Sequence, residues 1–219
     1  MYNRFKKNIF KIILSLAGVT LSYTGSALCA FANIGQGPVG AFQYAVSLQT
    51  GIQMGTIAFI FQAVFVFAQF LIERHNFKIY QLLQLLVSAY GGIVLNIVLY
   101  GILGGVRGEI PYFIKVLILV VGFLLYVIGV VFTLELNLVR VPLESFLKLL
   151  ASRTPITLGR YKQLSDFILL ILAAGICIWG KQSSTIREGT LLNALMFGVM
   201  IDLFQGPVRR LYQKWHILE

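Results

Sequence analysis

The sequence predicts an all-α membrane protein with six transmembrane helices in two inverted-topology three-helix repeats. Three observations predict this fold: the composition, the placement of basic residues and an internal repeat. Of the 219 residues, 58% are hydrophobic and 12% are charged, and the mean hydropathy is +0.84. A soluble domain normally carries about a quarter of its residues as charges. The chain is therefore predicted to fold in a lipid bilayer.

Six apolar runs are long enough to cross a bilayer, which takes roughly 20 residues. They cover about 10–32, 53–72, 80–104, 112–136, 158–179 and 189–207. Two shorter and less apolar segments, 38–50 and 140–152, are predicted to be interfacial or re-entrant helices. The first run resembles a secretory signal ending at Ala30-Phe31-Ala32. It is long for a signal and the repeat requires it, so we predict an uncleaved helix.

Basic residues predict the orientation of the chain. With the N-terminus in the cytoplasm, fourteen of the 18 Lys and Arg residues fall in inner segments. The four in outer segments are Arg107, Lys115, Lys181 and Arg187. Because cytoplasmic loops carry an excess of Lys and Arg, both termini are predicted to be cytoplasmic. This topology accounts for the net charge of +10. The basic residues do not form a contiguous basic face in the sequence, so nucleic-acid binding is not predicted.

The chain repeats itself with an offset of 104 residues. The identical pairs are Gly18/Gly122, Leu21/Leu125, Gly25/Gly129, Asn33/Asn137, Pro38/Pro142, Phe42/Phe146, Thr50/Thr154, Ile52/Ile156 and Gly55/Gly159. Residues 1–105 and 106–219 are therefore predicted to be two repeats of one membrane domain. Three spans per repeat place the second copy upside down, which is typical of many secondary transporters because their halves exchange conformations.

Each repeat breaks after its first helix. The residues that define the breaks are Asn33, Gly35, Gly37 and Pro38 in the first repeat, and Asn137 and Pro142 in the second. Glycine releases the backbone and proline suits the first turn of a new helix. The amides at such a start carry the positive end of the helix dipole and can receive an anion or a polar group. The alternative is a simple turn into an interfacial helix.

The two breaks differ in charge. The first lies in a stretch without charge between Lys11 and Glu73, which makes it the better candidate for a pocket. The second leads into a segment whose charges are typical of a helix lying on the cytoplasmic surface. Those charged residues are Arg140, Glu144, Lys148 and Arg153.

Apart from Glu135 at the end of the fourth span, two acidic residues lie inside predicted spans, Asp166 in the fifth and Asp202 in the sixth. Their counterparts in the first repeat are the polar residues Gln62 and Asn96. A charge inside the bilayer is costly and usually faces a bundle interior or a cavity. We therefore predict that both acids form a protonatable or cation-binding site. The substrate or ion pathway is predicted to include Asp166, Asp202, Gln62, Asn96, Asn33 and Asn137.

The structural alternative for both acids is local ion pairing near the cytoplasmic leaflet. Asp166 has Lys162 four residues before it, and Asp202 precedes Arg209 and Arg210. The sequence predicts no catalytic residues, no metal site and no cofactor, because it contains no enzyme signature and no clustered metal ligands.

Several glycine-led segments carry a family resemblance that covers nearly the whole chain. These segments are Gly35-Gln36-Gly37-Pro38-Val39-Gly40-Ala41, Gln53-Met54-Gly55-Thr56, Gly189-Thr190 and Gly198 to Asp202. They resemble the YczE/YyaS/YitT family of bacterial integral membrane proteins. The resemblance implies a polytopic protein of the bacterial plasma membrane, for which transport is the usual assumption, and it supplies no catalytic residue and no substrate.

The sequence thus predicts a secondary-transporter-like protein that moves a small organic solute, coupled to protons or a cation. Six helices are few for this task, so the chain is compatible with a homodimer. The alternative is a membrane-embedded substrate-binding or accessory/regulatory subunit that acts with a partner protein. A transporter requires a water-accessible cavity beside Asp166 or Asp202, whereas a subunit requires an exposed surface of small residues.

Overall fold

The computed structural model describes residues 2–74, 77, 79–106, 108–136, 141–181 and 184–215. All regular structure in these ranges is helical, as the sequence predicts. The α-helices are α1 (Tyr2–Ala32), α2 (Pro38–Thr50), α3 (Met54–Glu73), α4 (Leu83–Asn96), α5 (Tyr112–Leu136), α6 (Pro142–Arg153), α7 (Leu158–Trp179) and α8 (Glu188–Lys214). A 3₁₀ turn, Ile79–Leu82, precedes α4, which continues through a π-helical segment, Ile97–Ile102, and a 3₁₀ turn, Leu103–Gly105.

Five helices are long and apolar enough to cross a membrane: α1, α3, α4 with its extension, α5 and α7. The last helix, α8, bends by 47° between Phe197 and Val199, and it supplies a sixth span if both of its parts belong to one crossing. At 13 and 12 residues, α2 and α6 are too short to span. The apolar helices indicate a multi-pass membrane protein.

The centre of the bundle is a close crossing of α1 and α5. Gly18 faces Gly129, and Gly25 faces Gly122, so the two helices run antiparallel. A Cβ atom at Gly25 would meet the backbone of Gly122 and Tyr126, so the helices touch through their main chains. Small residues permit such close approach between membrane helices.

The two short helices pack across the molecule. α2 packs against α7, and α6 packs against α3. On α2, Ala45 lies in a buried cluster with Ala173 and Cys177 of α7. The hydroxyl of Thr185 donates to the carbonyl oxygen of Ala41 at 3.1 Å. Each short helix therefore lies on the second long helix of the opposite half of the chain.

A row of four aromatic rings connects α2, α3 and α6. Phe42 packs against Phe61, with ring centroids 5.6 Å apart, and Phe61 packs against Phe65 at 5.0 Å. Phe65 then packs against Phe146 at 5.3 Å. The outer members, Phe42 and Phe146, are the residues related by the 104-residue offset. The row links the two short helices through α3.

The two halves of the chain differ in how their last two helices pack. α3 packs along α4, and the backbones of Gly55 and Gly92 are in contact there. Along their described residues, α7 and α8 make no extended contact, and α8 packs on α5. Gly159, the counterpart of Gly55, has open space where a side chain would stand. The second half is therefore more open than the first.

Candidate functional site

The first break joins α1 to α2 and is held by the start of α8. Asn33 and Gly35 have positive φ angles of 53° and 125°. The N–H of Gly189 donates to the carbonyl of Ile34 at 2.9 Å. A Cβ atom at Gly35 would collide with the backbone of Gly189 and Thr190, so only glycine fits at this position.

Arg187, which precedes α8, reaches across to the first break. Its Nη1 donates to the carbonyl of Asn33 at 2.7 Å, and its Nε donates to the carbonyl of Ser184 at 3.1 Å. No carboxylate of the described residues forms an ion pair with it. Burial raises the pKa of the half-buried Tyr44 on α2, the nearby Tyr100 adds to the rise, and the positive charge of Arg187 opposes it.

The start of α2 combines a helix terminus with a buried amide side chain. Gly37 precedes Pro38 and gives the helix no side-chain cap, and the space beside its Cα is open. Gln36 is only 4% exposed, and its backbone N–H donates to the hydroxyl of Thr190 at 3.3 Å. Its Oε1 lies against Gly40 and has no hydrogen-bond partner.

The second short helix, α6, starts against glutamine side chains of α3. The backbone N–H of Leu143 donates to Oε1 of Gln62 at 3.2 Å, and Nε2 of Gln69 donates to the carbonyl of Pro142 at 3.0 Å. Both glutamines are buried. Gln62 thus caps α6, a role that sequence spacing did not reveal because the partners are 81 positions apart. Asn137 lies outside the described residues.

The acidic residue predicted in the fifth span forms the local pair that the sequence offers as its structural alternative. Asp166 Oδ1 lies 2.9 Å from Nζ of Lys162, and both side chains are about one-third exposed or less (27% and 32%).

Glu144 of α6 lies near this pair. Burial raises the pKa of its carboxyl, the charge of Asp166 adds to the rise and Lys162 opposes it. Glu144 forms no hydrogen bond with the described residues. The sequence predicts a surface helix here, and only the packing of α6 against α7 brings Glu144 close to Lys162 and Asp166.

Asp202 lies on α8 and is exposed. Among the described residues it has no ion pair, so the predicted pairing with Arg209 or Arg210 is absent. No hydrogen bond or ion pair joins Asp202 to Asp166. The structure therefore places the two acids in different environments.

Asn96, the counterpart of Asp202, holds α3 against α4. Its Oδ1 accepts from the N–H of Gly55 at 2.8 Å, and its Nδ2 donates to the hydroxyl of Thr56 at 3.4 Å. The hydroxyl of Tyr100 accepts from the N–H of Met54 at 3.0 Å. Asn96 and Tyr100 therefore cap α3 from a neighbouring helix. In the part of the chain that the structure describes, no group of three His, Cys, Asp or Glu residues could hold a metal ion.

Comparison of the chain with curated proteins and with solved structures finds no match. The sequence pattern that defines a family of unknown function, DUF6198, matches residues 9–206, which is most of the chain. The match includes both short helices, the first break and both acidic positions. The chain therefore belongs to the DUF6198 family.

Proposed function

We propose that this chain is a secondary-transporter-like protein that moves a small organic solute, coupled to protons or a cation. In this proposal residues 1–105 and 106–219 are inverted repeats with three spans each. The membrane is the bacterial plasma membrane and both termini are cytoplasmic, as the basic residues predict. The resemblance to the YczE/YyaS/YitT family remains part of the same proposal.

The contact between α1 and α5 is the main observation that supports an inverted-repeat transporter. At the 104-residue offset, Gly18 corresponds to Gly122 and Gly129 corresponds to Gly25. The Gly18/Gly129 contact is therefore equivalent to the Gly122/Gly25 contact. Two halves related by a two-fold axis in the membrane plane would produce this pairing. In the same way, α2 corresponds to α6 and α7 corresponds to α3, so the packing of α2 on α7 is equivalent to the packing of α6 on α3.

The difference between the halves supports alternating access. In transporters built from inverted repeats, one half adopts the conformation that the other gives up. Here α3 and α4 are in backbone contact at Gly55 and Gly92, whereas α7 and α8 make no extended contact along their described residues. A closed first half and an open second half are what one end state of such a cycle requires.

The order of polar and apolar groups supports a path through the bundle. Gln36 and Arg187 lie at the start of α2, and Gln62 and Glu144 lie at the start of α6. The row of rings from Phe42 to Phe146 joins the two short helices through α3, and we propose that it separates these two polar regions. An apolar barrier between two polar regions suits a protein that admits a solute from one side at a time.

Asp166, Lys162 and Glu144 are the groups we assign to coupling, with Asp202 as a second candidate. The ion pair is partly exposed, and such pairs are stabilised only weakly. It can therefore open without a large cost when a proton or a cation arrives. Glu144, whose pKa is raised by burial, is a second proton acceptor near the ion pair.

The test is a thermal-shift screen of the purified protein with a library of metabolites and cations at an acidic and a neutral pH. Wild type is measured beside Asp166→Asn and Asp202→Asn. We expect a ligand that raises the melting temperature in a pH-dependent way, and we expect Asp166→Asn to abolish that dependence. The hit is then tested for uptake into proteoliposomes with an imposed pH gradient.

Two results would contradict coupled transport. The first is a ligand whose effect is the same at both pH values and in both variants. The second is a ligand that binds but never crosses the bilayer of the proteoliposomes. The second result would favour the accessory subunit.

One observation favours an accessory subunit as the second candidate function. Gly101 and Gly105, in the extension of α4, have open space where side chains would stand, and Ile97 and Ile102 beside them are exposed. A surface of small residues permits close packing of another membrane helix. Copurification of a partner with wild type, and its loss with Gly101→Leu, would support this alternative.

A further inference from the structure

The starts of α3 and α6 are capped by side chains of neighbouring helices, whereas the start of α2 is not. Asn96 and Tyr100 accept from the first N–H groups of α3, and Gln62 accepts from α6. α2 starts in the same kind of environment, where Pro38 and Ala41 are buried, yet no side chain caps it. The unpaired N–H groups of the first turn therefore remain available.

A buried amide side chain without a partner lies at this start. Gln36 is 4% exposed, its Oε1 is buried against Gly40, and no hydrogen bond to its side chain forms. Buried polar atoms are nearly always paired, because an unpaired one loses its hydration without compensation. A primary amide can turn to present either its oxygen or its N–H groups to a ligand.

The electrostatic potential at this place is positive. α2 and α8 both begin here, and the positive ends of their dipoles meet at the first break. Arg187 adds a full charge, and both acceptors of its hydrogen bonds are neutral carbonyls. The uncharged stretch from Lys11 to Glu73 supplies no carboxylate to balance it. The carboxylate of Glu188, in the first turn of α8, is exposed and forms no ion pair with Arg187.

We propose that the start of α2, Gln36 and Arg187 form a binding site for the carboxylate group of a small organic solute. One cation and a set of neutral donors match a single negative charge. Gly37 leaves open space beside the first turn, where the carboxylate would stand. The inference names the substrate class of the proposed transporter and depends on that proposal only for the movement of the solute.

The test measures binding without any gradient. Saturation-transfer NMR on the purified protein in chloride-free buffer compares three carboxylates with their isosteric amides: acetate with acetamide, lactate with lactamide, and benzoate with benzamide. We expect at least one carboxylate to bind and its amide not to. Arg187→Gln is expected to weaken binding by at least about tenfold, since it removes a charge-assisted hydrogen-bond donor. Arg153→Gln, at the exposed end of α6, is the matched control and is expected to bind as wild type does.

A second variant keeps the inference testable if Arg187→Gln fails to fold. Gln36→Met retains the size of the side chain and the charge of Arg187, and we expect it to weaken carboxylate binding by about threefold to tenfold. An unchanged affinity in Gln36→Met and Arg187→Gln would overturn the assignment. Equal binding of an amide, displacement of the carboxylate by chloride at equal concentration, or no binding of any probe would overturn it as well.

The outcomes separate this site from the transport proposal. Carboxylate binding without uptake into proteoliposomes would retain the site and overturn transport. Coupled uptake of a solute without a carboxylate would retain transport and overturn the site.

Discussion

Glu144, on the short helix α6, lies near the ion pair of α7. Its carboxyl has no hydrogen-bond partner among the described residues, and burial raises its pKa. Asp166, one helix away, is paired with Lys162. A negative charge near a carboxyl group disfavours its ionised form, and the charge of Asp166 acts on Glu144 in this way. This arrangement favours Glu144 as a proton acceptor beside the ion pair of Asp166 and Lys162.

We predict that Glu144→Gln stabilises the protein at neutral pH. Ionisation of a carboxyl whose pKa is raised in the folded state costs folding free energy. The penalty is absent below the ordinary value of 4.5, where the group is protonated in both states, and it grows as the pH rises toward the folded value. The melting temperature of Glu144→Gln should exceed that of wild type at neutral pH, and the difference should vanish in acid. Glu109→Gln, at an exposed position, is the control. A difference that persists below the ordinary value would rule out ionisation as its cause.

At the scale of helices, the crossing of α1 and α5 depends on glycine because backbone meets backbone. Gly18, Gly25, Gly122 and Gly129 form the two contacts, and each would place a Cβ atom within 3 Å of the opposite helix. Interiors are close-packed, so added atoms force the helices apart. Gly55 and Gly92 share this constraint at the contact of α3 with α4, but not every glycine of the spans does. Gly175 on α7 has open space around it.

We predict that Gly25→Ala destabilises the protein by about 1–3 kcal/mol, the usual cost of overpacking. Gly175→Ala is the matched control, and it should be neutral or stabilising by up to about 1 kcal/mol, because alanine is the better helix former. Thermal unfolding in detergent measures both changes. Equal effects of the two substitutions would show that the α1–α5 contact does not limit stability.

At the scale of the whole molecule, the inverted repeat predicts that equivalent residues lie on opposite sides of the membrane. Thr50 ends α2 and Thr154 follows α6, and both are exposed. Each hydroxyl donates to the carbonyl four residues earlier, at 2.8 Å to Val46 and at 3.1 Å to Leu150. The two positions are therefore locally alike, and the inverted repeat predicts that they lie on opposite sides of the bilayer.

Single cysteines at these positions test the topology in cells that produce the protein. In a background with Cys29→Ala and Cys177→Ala, a membrane-impermeant maleimide should label Thr50→Cys in intact cells. Thr154→Cys should react only after permeabilisation. Labelling of both from the same side would refute the inverted repeat, and labelling of Thr154→Cys alone would reverse the predicted orientation.

The sequence by itself determined the positions of the helices. The bilayer demands long apolar runs, and proline and glycine act locally on the backbone, so the starts of α2 at Pro38 and of α6 at Pro142 could be read from single residues. It also pointed to the four polar positions inside the spans, because such residues are conspicuous among apolar ones. The pairing of Asp166 with Lys162 was accessible for the same reason, since four residues make one helical turn.

Only the tertiary structure decided what each polar group touches. Gln62 accepts a hydrogen bond at the start of α6, Arg187 donates to the carbonyl of Asn33, and Glu144 lies near Asp166 and Lys162 of α7. Residues 81 and 154 positions apart are brought together by helix packing, which periodicity within one helix does not encode. The physical reason is that burial and hydrogen bonding depend on which helices become neighbours. The contact of α3 with α4, and the separation of α7 from α8, are set in the same way.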